Sequence, residues 1–198
     1  MTVTAEQVKE LRERTGAGMM ECKKALQETG GDFEKAVDAL RKSGIAKADK
    51  RAGRAASEGR VESYIHPGNR VGVLVEVNCE TDFVARTDDF GDLCRNLAMQ
   101  VAAAGAEFLK AEDVPADRIA REREIFAAQL VAEGKPANIV DKIVEGKLKK
   151  FFSEICLLDQ PYIKDDKLTI ADLVKAASAK TGENVQVRRF VRFRLGAE

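Results

Sequence analysis

The stretch RVESYIHPGNRVGVLVEVNC, Arg60–Cys79, limits the fold more than any other part of the chain. In its second half Val71, Val73, Val75 and Val77 project to one face, and Gly72, Leu74, Glu76 and Asn78 to the other. That period of two is the signature of a strand. In its first half Val61, Ser63 and Ile65 alternate with Glu62, Tyr64 and His66, which predicts an apolar face on the first strand as well. HPGN joins the two, with Pro67 presetting φ and Gly68 free to take positive φ. The stretch therefore reads as a β-hairpin. Near the C-terminus VQVRRFVRFRL reads as one more strand, with Val185, Val187, Val191, Phe193 and Leu195 on or near one face. Arg188, Phe190, Arg192 and Arg194 take the other. Joined to the hairpin, this strand makes a small three-stranded antiparallel sheet covered by helices, an α+β fold.

Ahead of the hairpin, residues 1–42 read as three short helices. Val8 and Leu11 space one apolar stripe, Met19, Cys22 and Leu26 a second, and Phe33, Val37 and Leu40 a third. Thr4 and Gln7 form a capping box, and TGAG and TGGD punctuate the helices, with Asp32 starting the third. Residues 43–60 read as a charged, alanine-rich extension of the third helix that runs into a flexible linker. Residues 61–198 form the α+β core, including the C-terminal helix and strand. Within it, DDFGDLCRNLAMQVAAAG, ADRIAREREIFAAQLVAEG and ANIVDKIVEGKLKKFFSEICLL read as helices, the last two preceded by Pro115 and Pro136. From Gln160-Pro161 onward, TIADLVKAASAKTGEN reads as a helix ended by Gly182.

Composition narrows the chemistry. A chain of 198 residues, 44% hydrophobic and 33% charged, is that of a soluble globular protein. Its apolar runs fall well short of the roughly 20 residues a membrane span needs. The N-terminus is acidic by Glu6, so no signal peptide is read and the expected location is the cytoplasm. Cys22, Cys79, Cys94 and Cys156 lie far apart in apolar surroundings and read as buried, reduced thiols. With His66 the single histidine, no metal site, cofactor or histidine-based catalysis is expected. Phosphate-binding, dinucleotide-binding, hydrolase-elbow and zinc-protease motifs are absent from the sequence, and no catalytic residue is assigned. Asp88 and Asp89 form an acidic pair, but Thr87 before them makes a helix cap the simpler reading.

Charge is balanced in total and uneven along the chain. Seven Lys/Arg between Arg41 and Arg60 face only Asp49 and Glu58, while five acids between Glu80 and Asp92 face only Arg86. A basic segment beside an acidic one fits a protein partner of mixed charge better than nucleic acid. The basic stretch carries no aromatic residue to stack on bases. RRFVRFR does interleave aromatics with arginine, yet its alternation matches a half-buried strand whose arginine stems cover apolar surface. Direct nucleic-acid contact is not expected. An RNA-binding or ribosome-associated protein using these basic segments is the alternative.

Two places stand out from the scaffold. Met19 and Met20 straddle a helix face, so both cannot enter one small core. One of them is expected at the surface, either as an adaptable protein contact or docked on the rest of the chain. In TDFV, Phe83 sits at a strand-to-helix junction. Local chemistry favours a hydrophobic staple against Phe90 or Leu93 over an exposed hook.

LRERTGAGMMECKKAL, GDFEKAVDALRKSGIAKADKRAGR, VNCETDFVART, FFSEICLLDQPYIKD and FVRFRLGAE, in this order over nearly the whole chain, closely resemble the bacterial elongation factor Ts family. The resemblance implies a guanine-nucleotide exchange factor, and no enzyme, acting on elongation factor Tu in its GDP-bound and nucleotide-free states. In that family the N-terminal unit resembles a ubiquitin-associated domain and touches the nucleotide-binding domain of Tu. It implies that Thr81, Asp82, Phe83 and Val84 approach the Mg²⁺ and phosphate side of that domain. The aromatic ring would enter between helices of Tu, disturb Mg²⁺ coordination and let GDP leave. Met19, Met20 and Leu11 would be the apolar contact of the first unit, with Lys23 and Lys24 at its charged rim. Longer members add a second core half and an inserted helical hairpin, which 198 residues cannot both hold, so the chain resembles the short type. A homodimer, in which a second copy supplies the missing surface, is the accompanying expectation.

Overall fold

The computed structural model describes residues 3–197. Three helices come first: α1 (Ala5–Thr15), α2 (Met19–Glu28) and α3 (Phe33–Arg51). The Thr4 hydroxyl accepts the Gln7 N–H at 3.2 Å while the Gln7 side chain accepts the Thr4 N–H at 3.0 Å, which is the capping box read from the sequence. Gly16 takes φ 69° to end α1, and the Asp32 carboxylate caps α3 through the Lys35 N–H. Val8, Leu11, Cys22, Ala25, Leu26 and Ala36 close the bundle core, with Phe33, Val37 and Leu40 packed at its edge. Met19 does not join this core, because Ala25 completes the inner stripe of α2 with Cys22 and Leu26.

The remaining elements are β1 (Glu58–Ile65), β2 (Val71–Cys79), α4 (Asp82–Ala85), α5 (Asp88–Ala104), α6 (Ala116–Ala132) and α7 (Ala137–Ile155). They are followed by β3 (Pro161–Tyr162), β4 (Asp165–Thr169), α8 (Ile170–Thr181) and β5 (Gln186–Arg194). The fold is α+β, with a three-stranded antiparallel sheet ordered β1-β2-β5 and a separate β3-β4 pair. By its contacts the chain divides into two compact units. One is drawn from Met1–Glu62, Glu76–Cys94 and Asp172–Arg188, the other from Ser63–Val75, Arg95–Ala171 and Arg189–Glu198.

In the first unit, α3 stays helical well past the expected tail of the bundle because one side of it is packed. Ala48 is buried, Lys47 pairs with Glu21 of α2, and Asp49 pairs with Lys175 of α8 at 2.8 Å. A Cβ on Gly44 would stand 3.0 Å from Ala179 Cβ, so α3 and α8 approach closely. Gly59 lies tighter still. Its φ is 146°, and a Cβ there would meet the Val77 carbonyl oxygen at 2.1 Å. Gly59→Ala will therefore force β1 off β2 and cost on the order of 2 kcal/mol or more, read as a lowered Tm by calorimetry. An unchanged Tm would show that the strands separate without strain.

The hairpin forms as read, with the His66 N–H donating to the Val71 carbonyl and positive φ at Gly68 and Asn69. Val73, Val75 and Val77 are buried. The face expected for β1 is reversed: Val61 and Ile65 are exposed, while Glu62 and Tyr64 on the opposite face are half-buried. The last strand also departs from a simple alternation. Val185 and Val187 are buried, but Val191, Phe193 and Leu195 open to solvent. Arg192 is half-buried instead, its guanidinium donating to the Ala102 carbonyl.

In the second unit α6 and α7 form a hairpin around Leu130, Val144 and Leu148. At its base the Arg118 guanidinium stands over the rings of Phe108 and Phe151 and pairs with Glu107 at 2.6 Å. Gln100 and Gln160 meet in the interior, where Gln100 Nε2 donates to Gln160 Oε1 and Pro161 O, and Gln100 Oε1 accepts the Ile163 N–H. These bonds satisfy two buried amides and pin the short β3-β4 pair, which the sequence did not announce.

All four cysteines are buried and reduced. Burial pushes the Cys94 thiol up to about 12 and the Cys156 thiol up to about 11. Because the thiolate is the reactive form, an aromatic disulfide reagent at pH 8 will titrate less than about one thiol in the folded chain. All four will react once it is unfolded. A full stoichiometric reaction of the folded protein would contradict this burial.

Candidate protein-contact site

β2 leaves the sheet at Cys79, and two residues later Thr81, with the extended backbone of an N-cap (φ −128°, ψ 151°), opens α4. Its hydroxyl accepts the Val84 N–H at 3.3 Å. In a helix of one turn successive side chains point about 100° apart, so Val84 and Ala85 go inward while Phe83 goes outward. Phe83 is 78% exposed, the most exposed of the large apolar residues among those described. Phe90 and Leu93 are buried without it, so the staple favoured by local chemistry does not form. Asp82, next to the ring, pairs with Arg86 at 2.9 Å one turn on. Thr87 caps α5 as read, its hydroxyl accepting the Phe90 N–H.

The turn is braced from a distance in sequence. Glu183 Oε2 accepts the N–H groups of Glu80 at 3.0 Å and Thr81 at 3.1 Å, and Glu183 Oε1 accepts the Thr81 hydroxyl at 2.6 Å. In return Glu80 Oε1 accepts the Asn184 N–H at 2.6 Å and lies 3.4 Å from the Arg54 guanidinium. The Asn184 amide donates to the Arg54 carbonyl at 2.7 Å, which ties the end of α3 to the same point.

Beside Phe83 runs a groove of about 470 Å³. Lys9, Arg12 and Glu13 of α1 line one side, Phe83, Val84 and Asp89 another, and Lys180 of α8 crosses it. The Lys180 stem lies over Gly16 and its ammonium pairs with Asp89 at 2.7 Å. The result is a mixed-charge channel with an aromatic ring at its mouth.

Of the other residues singled out in the sequence, Met19 and Met20 are both exposed, Met20 at 75%. Lys23 and Lys24 are exposed on the same helix, Lys24 within 3.7 Å of Glu28. Leu11 is fully buried in the bundle core, beneath that surface. Phe83 and Val84 line the groove together with α1, whereas Thr81, Asp82 and α2 do not line it. Sequence reading missed Lys9, Arg12, Glu13, Lys180 and Glu183. Gly16 of TGAG was the one local signal for Lys180, since the missing Cβ there clears space for its stem. Among the described residues no group of three or more His, Cys, Asp or Glu could hold a metal ion. No helix of theirs is long and apolar enough to cross a membrane.

A family model described as Elongation factor TS matches residues 5–197. Elongation factor Ts of Carboxydothermus hydrogenoformans is 60% identical over 98% of this chain and 89% of its own length. That of Heliobacterium modesticaldum is 62% identical over 98% and 90%, and that of Desulfosudis oleivorans 58% identical over 98% of each. The chain belongs to the elongation factor Ts family.

Proposed function

We propose that this chain is a guanine-nucleotide exchange factor for elongation factor Tu in translation elongation, with Phe83 as its wedge. The carrying observation is Phe83 itself, a large ring held 78% exposed on a turn braced by Glu183. A soluble protein gains nothing in its free state from such a ring, and exposed apolar groups on a rigid mount suit a partner contact. Phe83 enters Tu near its Mg²⁺ and phosphate site, with Thr81 and Val84 shaping the turn and Asp82 at its polar edge. Met19 and Met20 form a second, adaptable contact on the bundle, rimmed by Lys23 and Lys24. Leu11 serves from beneath by holding α1 against α2. Tu supplies every ligand of GDP and Mg²⁺, so this chain accelerates release without a chemical step and works in the cytoplasm.

The energetic logic is linkage. A partner that binds nucleotide-free Tu more tightly than Tu·GDP weakens GDP by the same factor. Each ~1.4 kcal/mol of that difference is worth about tenfold. Release of fluorescent GDP from Tu tests the reading: acceleration by substoichiometric amounts of the chain is the expected result, and an unchanged rate overturns it. The RNA-binding alternative is disfavoured because cations of the basic segment are already engaged, Lys47 with Glu21, Arg51 with the Ser178 carbonyl and Arg54 with Glu80.

The same proposal includes a homodimer. Ile65, Leu74, Val191, Phe193 and Leu195 form an open apolar surface in the second unit, Phe193 being 67% exposed. A second copy of the chain would bury it. Light scattering will give about twice the 21.7 kDa chain mass, and Phe193→Glu will return it to the single-chain value. A wild-type mass of one chain at all concentrations removes the dimer from the proposal.

A further inference from the structure

We infer that Glu183 is a positioning residue for nucleotide exchange, setting Phe83 at the angle from which it enters Tu. The inference rests on the proposed role of Phe83 and goes beyond it by naming what aims the ring.

The reasoning starts from α4. A helix of four residues makes too few internal bonds to hold itself, so its form must be imposed by its ends. Its N-terminal end is held by one carboxylate. Glu183 takes two main-chain N–H groups and one hydroxyl, leaving little freedom to Glu80 and Thr81. Bonds to an ionised acceptor are about twice as strong as neutral ones. The Thr81 hydroxyl also carries this restraint forward. Its proton is committed to Glu183 Oε1, so its lone pair is aimed at the Val84 N–H, the first bond of the turn that carries Phe83.

Glu183 is also suited to this role because its own main chain is secured separately. Its N–H donates to the Thr181 hydroxyl at 3.3 Å and its carbonyl accepts the Ser178 hydroxyl, both at the end of α8. The Asn184 N–H is held by Glu80. Removing the carboxylate therefore leaves the chain at 183 in place and frees the turn at 80–81.

GDP release measured at increasing concentrations of the factor separates positioning from stability. A variant that merely folds less completely lowers the active concentration, which raises the half-saturation point and leaves the maximal rate unchanged. A variant with a loosened wedge still docks through the bundle and loses maximal rate. Glu183→Ala is expected to lower the maximal rate about tenfold and to shift half-saturation by less than about threefold. Glu183→Gln, which keeps the shape and one acceptor oxygen, will lie between Glu183→Ala and wild type, and it carries the test if the alanine variant does not fold. Amide exchange at Glu80 and Thr81 will quicken in both. In a Phe83→Ala background Glu183→Ala will have no further effect, because the ring it aims is gone. An unchanged maximal rate, or an additive loss in that background, overturns the role of Glu183. Failure of the wedge reading is recognised separately, by a Phe83→Ala variant that releases GDP at the wild-type rate, and it takes this inference with it.

Discussion

Phe83→Ala will slow GDP release from elongation factor Tu by roughly 30-fold while leaving the Tm of the chain unchanged. The two halves of this expectation come from the same fact. With 78% of its surface in water, the ring contributes almost nothing to the core, so its removal opens no cavity. Its neighbours Phe90 and Leu93 are buried by other contacts. On entering a partner the ring gains on the order of 2 kcal/mol or more from lost hydration, the size of an interface hot spot. If that gain is available only where Tu has yielded its nucleotide, its loss appears in the release rate. Phe83→Leu, which keeps part of the apolar volume, will fall between the two. A lowered Tm without a change in exchange would return Phe83 to the scaffold.

Leu11→Ala should act in the opposite way, with a large loss of structure and no direct change to any contact surface. Leu11 is fully enclosed by Val8, Cys22, Leu26 and their neighbours. Replacing such a leucine by alanine costs about 2–5 kcal/mol, the transfer of the lost atoms plus the cavity they leave. A three-helix bundle this small has little stability of its own to lose. The expected result is loss of α1 and α2 helicity by circular dichroism and rapid amide exchange there, with α3 still tied to α8 through Asp49–Lys175 and the Gly44–Ala179 approach. In the exchange assay half-saturation will rise strongly, because Met19, Met20, Lys23 and Lys24 lose their common mount. A Leu11→Ala variant with normal helicity and a normal half-saturation point would show that the bundle tolerates the cavity and that this mount is not needed.

Much of the fold was legible where the determinants are local. Alternating valines specify β2, Thr4 and Gln7 specify the start of α1, and Gly182 with φ 76° ends α8 as its position implied. The face of β1 was misread because Val61 and Ile65 remain outside while the longer Tyr64 and Glu62 line the half-buried side. The extension of α3 past the bundle was read, but not what holds it. Its second half is held by pairs to α2 and α8 that only the tertiary fold brings near. At the candidate site, the strand-to-helix junction could be read but the direction of Phe83 could not be read from local chemistry. Apolar residues in such junctions usually pack down; this one sits on a turn whose start is hydrogen-bonded to a glutamate far along the chain. Main-chain N–H groups donate to any carboxylate within reach, so nothing in Glu80 or Thr81 points to Glu183.

The α6–α7 hairpin leaves one evolutionary consequence. Its seam repeats along both helices, with Phe126 and Leu130 facing Val140, Val144 and Leu148, and it closes at Gly134 with φ 71°. Such an arm can gain or lose whole turns in step on both helices without altering the residues at its base. Its length is thus a dimension that can drift or be selected separately from the turn that bears Phe83.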